Sequence, residues 1–487
     1  MSDISFANIG FADIAALSPE LILVAFAVIV LAADLPRSGA GRKSLFWLSA
    51  IGVALAAVAC LSWAGEGEAF AGSFVRDGFT TALDLIFLLI TLLTLFVSYG
   101  YVRREGIESG EYYGLVLLAG SGMLLLAGAG DMIVVFLGLE ILSVASYVLA
   151  GLFRKNVRSN EASLKYLLLG AMSTAFLLYG MAAVYGLTGA TNLKAIGAAL
   201  PEAASASPFL TYVGVGMMIV GFGFKVAAVP FHMWTPDVYE GAPTAVTAFF
   251  TSGPKAAAFA GALRVFVTGL GGVSEQWTGV IAVLAILSMT IGNIGAIAQK
   301  EIKRMLAYSS IAHAGYLLIG LAVPGVLGVS AIVFYLVAYT LMNLGAFSIV
   351  AVLEKRGTNR TEMADYAGLA KRRPGMALAM TIFMVSLGGL PPTVGFVAKF
   401  YIFSAAVEQG MITLAVIGAL NSLVSIFYYL RVTVIMYMRE RSEPWPEIPV
   451  DWATRLVMVG SSAGTILLGV LPAWLWSEAR LSALGFF

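Results

Sequence analysis

The chain has 487 residues, of which 60% are hydrophobic and only 12% charged, with a mean hydropathy of +0.90. Globular chains run at roughly 45–50% apolar and about 25% charged, so an ordinary soluble fold is excluded and the apolar surface needs lipid as its solvent. A formal net charge of +1 argues against a nucleic-acid partner. The single Cys60 rules out an intrachain disulfide framework, and two histidines without a Cys/His cluster leave no metal site to expect.

The first sixteen residues are acidic and lack a basic leader region, and no cleavage-like site follows the first apolar run. That run reads as a retained span, not a signal peptide. Stretches of about 20 apolar residues each predict one membrane-crossing helix. In order they are 17–33, 45–64, 79–102, 112–130, 131–153, 162–187, 209–239, 243–268, 277–299, 304–323, 327–353, 375–408, 411–438 and 452–475, fourteen in all. The seventh and twelfth are long and interrupted, by Pro230 and Pro236 and by Leu390-Pro391-Pro392-Thr393-Val394-Gly395. Proline frees a backbone carbonyl, and freed backbone is tolerated at membrane depth only inside protein or beside water. A wet cavity beside each break is therefore expected. The long loops, 188–208 and 354–374, are too short to fold separately, so residues 1–487 form a single membrane domain with no soluble catalytic module. Gly221-Phe222-Gly223-Phe224-Lys225 lacks phosphate-loop spacing and lies within a span, so no cofactor-binding residues are expected.

About nineteen Lys and Arg residues, from Arg37 to Arg441 and including Lys303 and Arg304, fall in one set of alternate loops. Three, Arg76, Lys194 and Arg480, fall in the other. This bias predicts an even number of spans with both termini facing away from the cytoplasm.

Set apart from the loops, Glu140, Lys165, Lys225, Lys255, Arg264, Lys399 and Arg431 lie within or near spans, with His232 and His313. Charges at that depth are expensive and mark ion or proton pathways. Arg264 and Arg431 are close enough to span ends to snorkel, and Lys165 follows Glu161 by four residues, the spacing of a helical ion pair. Glu140, Lys225 and Lys255 sit in apolar surroundings. A lysine balanced between desolvation and a nearby carboxylate can load and release a proton when its partner moves; arginine stays charged. The static reading is a set of buried ion pairs that hold helices in register.

Glu140 and His313 are 173 positions apart, Lys225 and Lys399 174, and Lys255 and Arg431 176. Each pair falls in spans five apart in order, and an odd offset reverses membrane direction, as an inverted repeat requires. Two half-channels joined by a row of titratable groups near the midplane follow from that pattern.

The run Gly223-Phe224-Lys225-Val226-Ala227-Ala228-Val229-Pro230-Phe231-His232-Met233-Trp234-Thr235-Pro236-Asp237-Val238-Tyr239-Glu240-Gly241-Ala242-Pro243-Thr244 closely resembles the antiporter-like membrane subunits of bacterial proton-translocating NADH:quinone oxidoreductase (respiratory complex I), the N subunit in particular. Gly138-Leu139-Glu140, Ser252-Gly253-Pro254-Lys255, Ala307–Gly315 and Leu387–Phe396 carry the likeness across essentially the whole chain, most weakly before residue 110. Trp234–Gly241 favours N; Lys399 speaks against M, which has glutamate there, and the lack of a long extension with a lateral helix after Phe487 speaks against L. The resemblance implies an all-α polytopic membrane protein with about fourteen transmembrane helices and two inverted five-helix repeats with broken helices 7 and 12. Its parts would be three N-terminal helices in 1–111, a first repeat in 112–268, a second in 277–438 and a C-terminal helix in 452–487. It also implies that Glu140 modulates Lys225, that Lys255 connects and that Lys399 is terminal in proton translocation. Lys165 matches the sixth-span lysine, and His232 lies in the family's break. NADH, FMN, iron–sulfur clusters and quinone would belong to partner subunits, and the M subunit and small K, J and A subunits would be neighbours in the bacterial inner membrane. The alternatives are an Mrp-type cation/proton antiporter subunit and a scaffold of fixed ion pairs.

Overall fold

The computed structural model describes residues 10–35, 42–62, 65–354, 362–440 and 449–487. Among these, the helices in chain order are α1 (Phe11–Ala16), α2 (Ser18–Asp34), α3 (Lys43–Ser62), α4 (Gly78–Arg104), α5 (Gly110–Ala127), α6 (Met132–Ala150) and α7 (Val157–Thr188). They continue with α8 (Leu193–Ala206), α9 (Pro208–Val226), α10 (Trp234–Gly241), α11 (Thr244–Leu263), α12 (Ser274–Ala298), α13 (Ile302–Ala322) and α14 (Val326–Leu353). The last are α15 (Leu369–Arg372), α16 (Pro374–Gly388), α17 (Val394–Glu408), α18 (Ile412–Met438), α19 (Trp452–Val470) and α20 (Ala473–Leu484). One short antiparallel hairpin, β1 (Gly67–Ala69) with β2 (Phe74–Arg76), interrupts this all-α, polytopic architecture.

Among the described residues, eleven helices are long and apolar enough to cross a membrane. The other expected spans coincide with α2, with α11 and with the pair α16 and α17. The second is built on small residues around Pro254 and Lys255, and the pair is split by its break. Helix starts are set by short polar side chains: Asp77, Ser109, Asp131, Asn156, Asn192 and Asp451 each accept a hydrogen bond from the first turn of the helix that follows. These caps satisfy N–H donors that the helix itself leaves without partners.

Burial sorts the helices. Residues of α11 are buried throughout, as are 94% of the spanning window of α13 and 83% of that of α14, against 33% for α18 and α19. A helix buried all round lies in the interior, so α11, α13 and α14 form the centre and α18 and α19 face outward. Helix α13 meets α12 at backbone contact distance: a Cβ on Gly292 would sit 2.6 Å from Ala312 N, and one on Gly315 2.8 Å from Ala285 O. Small residues permit such approach, which is how membrane helices gain packing without a hydrophobic drive.

Several expectations change. The loop 188–208 contains α8, whose Leu193, Ile196, Leu200 and Ala204 form one buried stripe at helical spacing. The C-terminal segment holds two helices, α19 and α20, separated at Leu471-Pro472. Two counted loop cations are interior: Lys303 is fully buried and Arg76 is 1% exposed, each held by carboxylates. Arg37, Lys355, Arg356, Arg360 and Arg441 lie outside the described residues.

Candidate functional site

Both interrupted spans end their first half in a left-handed residue, Ala227 (φ +62°) after α9 and Gly389 (φ +81°) after α16, and each break contains a cis X–Pro bond, at Val229-Pro230 and Pro391-Pro392. The freed carbonyls are used differently. At the first break, Gly223 O accepts from Ala228 N, and Phe224 O accepts from both Ala227 N and the Trp234 indole. At the second, Leu387 O and Gly388 O accept from Lys399 Nζ at 3.0 and 3.1 Å, and Ser422 Oγ accepts the third donor at 2.9 Å. The negative end of α16 thus faces an ammonium group, the favourable sense of the helix dipole. Side chains and backbone thus take up these carbonyls.

The two lysines stand on opposite sides of their breaks. Lys225 ends the helix before the first, whereas Lys399 belongs to the helix after the second and reaches back. Ala227 and Gly389 are 162 positions apart, as are Pro230 and Pro392, so the frame that superposes the breaks is not the 174-residue frame of the lysines.

Around α13 the sequence-selected groups converge. Lys255 Nζ, 2% exposed on α11, donates to Ser310 O at 2.9 Å and Ser310 Oγ at 2.7 Å. One turn on, His313 Nδ1 lies 2.7 Å from Tyr335 Oη and Nε2 3.1 Å from Tyr429 Oη, and Tyr429 also bonds Ser309 Oγ. A further turn on, the Tyr316 ring lies under Lys399 Nζ, 4.9 Å from its centroid. Ser310, His313 and Tyr316 follow one another at i, i+3 spacing, which makes neighbours of successive side chains. Hydroxyl and imidazole groups can each donate and accept, so the stretch of α13 between Lys255 and Lys399 carries groups capable of exchanging protons.

Glu140 and Lys225 form a second cluster. Lys225 Nζ donates to Ser143 Oγ at 2.7 Å, and Glu140 Oε1, one turn earlier on α6, accepts from Thr174 Oγ1 at 2.8 Å. Among the described residues no ion pair closes between the two; each charge takes a hydroxyl instead. Lys165 stands apart from the row. It is 40% exposed and pairs with Glu161 at 2.6 Å and Asp237 at 2.8 Å, in a network that Arg304, Glu240 and Arg158 extend. His232 lies in the first break, with a buried Nδ1 that finds no partner among the described residues. Arg264 does not snorkel: it is buried against Asp77, with both carboxylate oxygens at 2.8 Å. Arg431 donates to Ile297 O and Gln299 O at the end of α12.

Ser143, Thr174, Ser310, Tyr335, Ser422 and Tyr429 complete these contacts, and the sequence reading passed over all of them. Ser143 and Ser310 lie three residues from Glu140 and His313, the one positional signal available. Hydroxyls are common in membrane helices, where they also bond their own backbone, as Ser146 and Thr340 do here. Among the described residues, no group of three or more His, Cys, Asp or Glu side chains is arranged to hold a metal ion.

Residues 129–425 match the transmembrane family described as NADH:quinone oxidoreductase/Mrp antiporter. The chain is 45% identical over 463 residues to NADH-quinone oxidoreductase subunit N of Trichlorobacter lovleyi, covering 95% of each protein. Its fold matches a chain of respiratory complex I from Thermus thermophilus with bound aureothin at a TM-score of 0.81 and 36% identity, covering 94% of this chain and 98% of that one. A chain of the Mrp complex from Dietzia sp. matches at a TM-score of 0.83 but 23% identity, covering 98% and 97%, a likeness of fold alone. Shared sequence over nearly full length, together with the buried lysines and broken helices, makes this chain a member of the NADH-quinone oxidoreductase subunit N family.

Proposed function

We propose that this chain is a proton-translocating membrane subunit of NADH:quinone oxidoreductase, coupling electron transfer in partner subunits to proton movement through its Glu/Lys/His row. The observation that carries this reading is the buried succession Lys255, Ser310, His313, Tyr316 and Lys399 along one face of the central helix α13. In it Lys255 connects and Lys399 delivers, with His313 between them. Glu140 governs Lys225: if the carboxylate moves toward the ammonium group, Lys225 leaves Ser143, and its proton affinity changes with its partner. Lys165, tied to Asp237 beside the first break, and His232 within it belong to the entry side.

Family membership supports a wider reading. The chain is the translocase part of an enzyme complex and carries no redox centre of its own. NADH, FMN, iron–sulfur clusters and quinone are handled by partners, with an M-type subunit and small K, J and A subunits as neighbours. The membrane is the bacterial inner membrane, with fourteen crossings and both termini periplasmic. Residues 112–268 and 277–438 are the inverted five-helix repeats, flanked by 1–111 and 452–487.

The test is Lys225→Ala in native membranes, with assembly checked on a native gel and NADH:quinone turnover and NADH-driven proton translocation recorded together. Loss of both in an assembled complex is expected. Wild-type values for both would overturn the role of Lys225. Sodium-dependent dissipation of a pH gradient that persists without NADH would point to an antiporter. In the same assay, proton translocation per NADH unchanged in Lys399→Ala would remove the outlet assignment.

A further inference from the structure

A second cluster of buried charge lies in the N-terminal helices, away from the row around α13. Arg76, at the end of the hairpin, is 1% exposed and inserts its guanidinium between two carboxylates. Its Nη2 lies 2.8 Å from Asp84 Oδ2 of α4 and 3.6 Å from Glu20 Oε1 of α2. The other guanidinium contacts are Ala16 O at 3.0 Å from Nε and Cys60 Sγ at 3.6 Å from Nη1. Asp84 is fully buried and Glu20 is 5% exposed.

Counting charges shows an excess. Nearby, Arg264 is matched by Asp77, and Lys194 by Glu68. Arg76, by contrast, faces two carboxylates with no second cation paired to them among the described residues. Among the described residues, no other side chain donates a hydrogen bond to either Glu20 oxygen or to Asp84 Oδ1; the backbone N–H of Glu20 faces its own carboxylate. With both acids ionised, the cluster would hold a buried unit of negative charge with three carboxylate oxygens lacking side-chain hydrogen bonds. Such a charge is costly in a low-dielectric interior. A single proton removes the excess charge and supplies a missing donor. The charged and titratable groups facing the pair are Arg76, Arg264 with its Asp77, and the Cys60 thiol. A cavity of about 500 Å³, lined by Arg76, Asp77, Lys194 and Arg264 among others, lies beside the cluster, though Glu20 and Asp84 do not line it.

We propose that Glu20 and Asp84 together hold one proton beside Arg76, a proton-binding site buried in the N-terminal helices. Its chemistry is one reversible O–H bond: one of the two carboxylates takes a proton from water and gives it back. The site stands independently of the proton path assigned to Lys225, Lys255 and Lys399.

The test is infrared difference spectroscopy of the purified intact complex at neutral pH, subtracting Glu20→Gln and Asp84→Asn from wild type. Each variant leaves one carboxylate per guanidinium, so each is expected to assemble. Each is also expected to lose the same protonated-carboxyl C=O band, with an intensity of one group, and the double variant to lose no more than that one. Loss of ionised-carboxylate bands alone would mean a fixed ion triad, and loss of two protonated bands would mean two neutral acids. Either result, or failure of both single variants to assemble, overturns the proposal.

Discussion

Lys399 depends on the residue opposite it as much as on its own position. A Cβ at Gly389 would stand 2.9 Å from Lys399 Cδ and 3.1 Å from Nζ, and the backbone there is left-handed at φ +81°. Gly389→Ala therefore adds about 1–2 kcal/mol of backbone cost and pushes the ammonium group off the α16 carbonyls. The expected outcome is an assembled complex with proton translocation lowered about tenfold, the effect of roughly 1.4 kcal/mol at the site. Unchanged pumping would show that the carbonyl contacts do not matter. Outside the spans, Asp13 takes hydrogen bonds from Phe70 N at 2.7 Å and Gly10 N at 2.8 Å, and these N–H groups hold its carboxyl below the usual range. A depressed carboxyl contributes stability above its unfolded value, near pH 4, and loses it as pH falls through the folded value. The protection of the Phe70 amide, its exchange rate relative to the intrinsic rate at each pH, is expected to be high at pH 5–7 and to fall in acid. In Asp13→Ala it should be low at every pH.

The interior elements are tied by charges that a loop count hides. Lys303, at the start of α13, donates to Ala242 O at 2.8 Å and lies 3.9 Å from Glu354 at the end of α14; both side chains are buried. Lys303→Met leaves the Glu354 charge without this partner, and breaking such a pair costs about 3–5 kcal/mol. The expected result is poor assembly on a native gel, largely restored in Lys303→Met with Glu354→Gln. No recovery in the double variant would make the lysine's role one of packing. At this scale the sequence was legible in part. Pro230 and Pro391-Pro392 marked both breaks, because proline cannot continue a helix. Which side of each break the lysine occupies was not legible, since it depends on where the helix resumes. The amphipathic α8 and the hairpin were missed because both lie between spans, where a search for apolar runs finds nothing.

Over the whole molecule, Asp237 and Glu240 on α10 bind Lys165 and Arg158 of α7 on one side and Arg304 of α13 on the other. This half-exposed network links the two expected repeats. Arg304 still holds Asp237 when Lys165 is removed, and exposed pairs contribute about 0–1 kcal/mol. Lys165→Ala is thus expected to assemble normally, with a thermal midpoint close to wild type and a smaller loss of proton translocation than Lys225→Ala. A loss equal to that of Lys225→Ala would put Lys165 in the row itself. By itself the sequence determined the membrane class, the interrupted spans and the lysines, histidine and glutamate whose burial needs a reason. Hydropathy, proline and buried charge are properties of residues taken along the chain. Only the tertiary structure decided which of them meet. Lys255, His313 and Lys399 each bond hydroxyls, from α13, α14 and α18, and Arg76 meets Glu20 and Asp84 from three different elements. Those partners are ordinary residues whose positions follow from how the helices pack, and no local pattern distinguishes them.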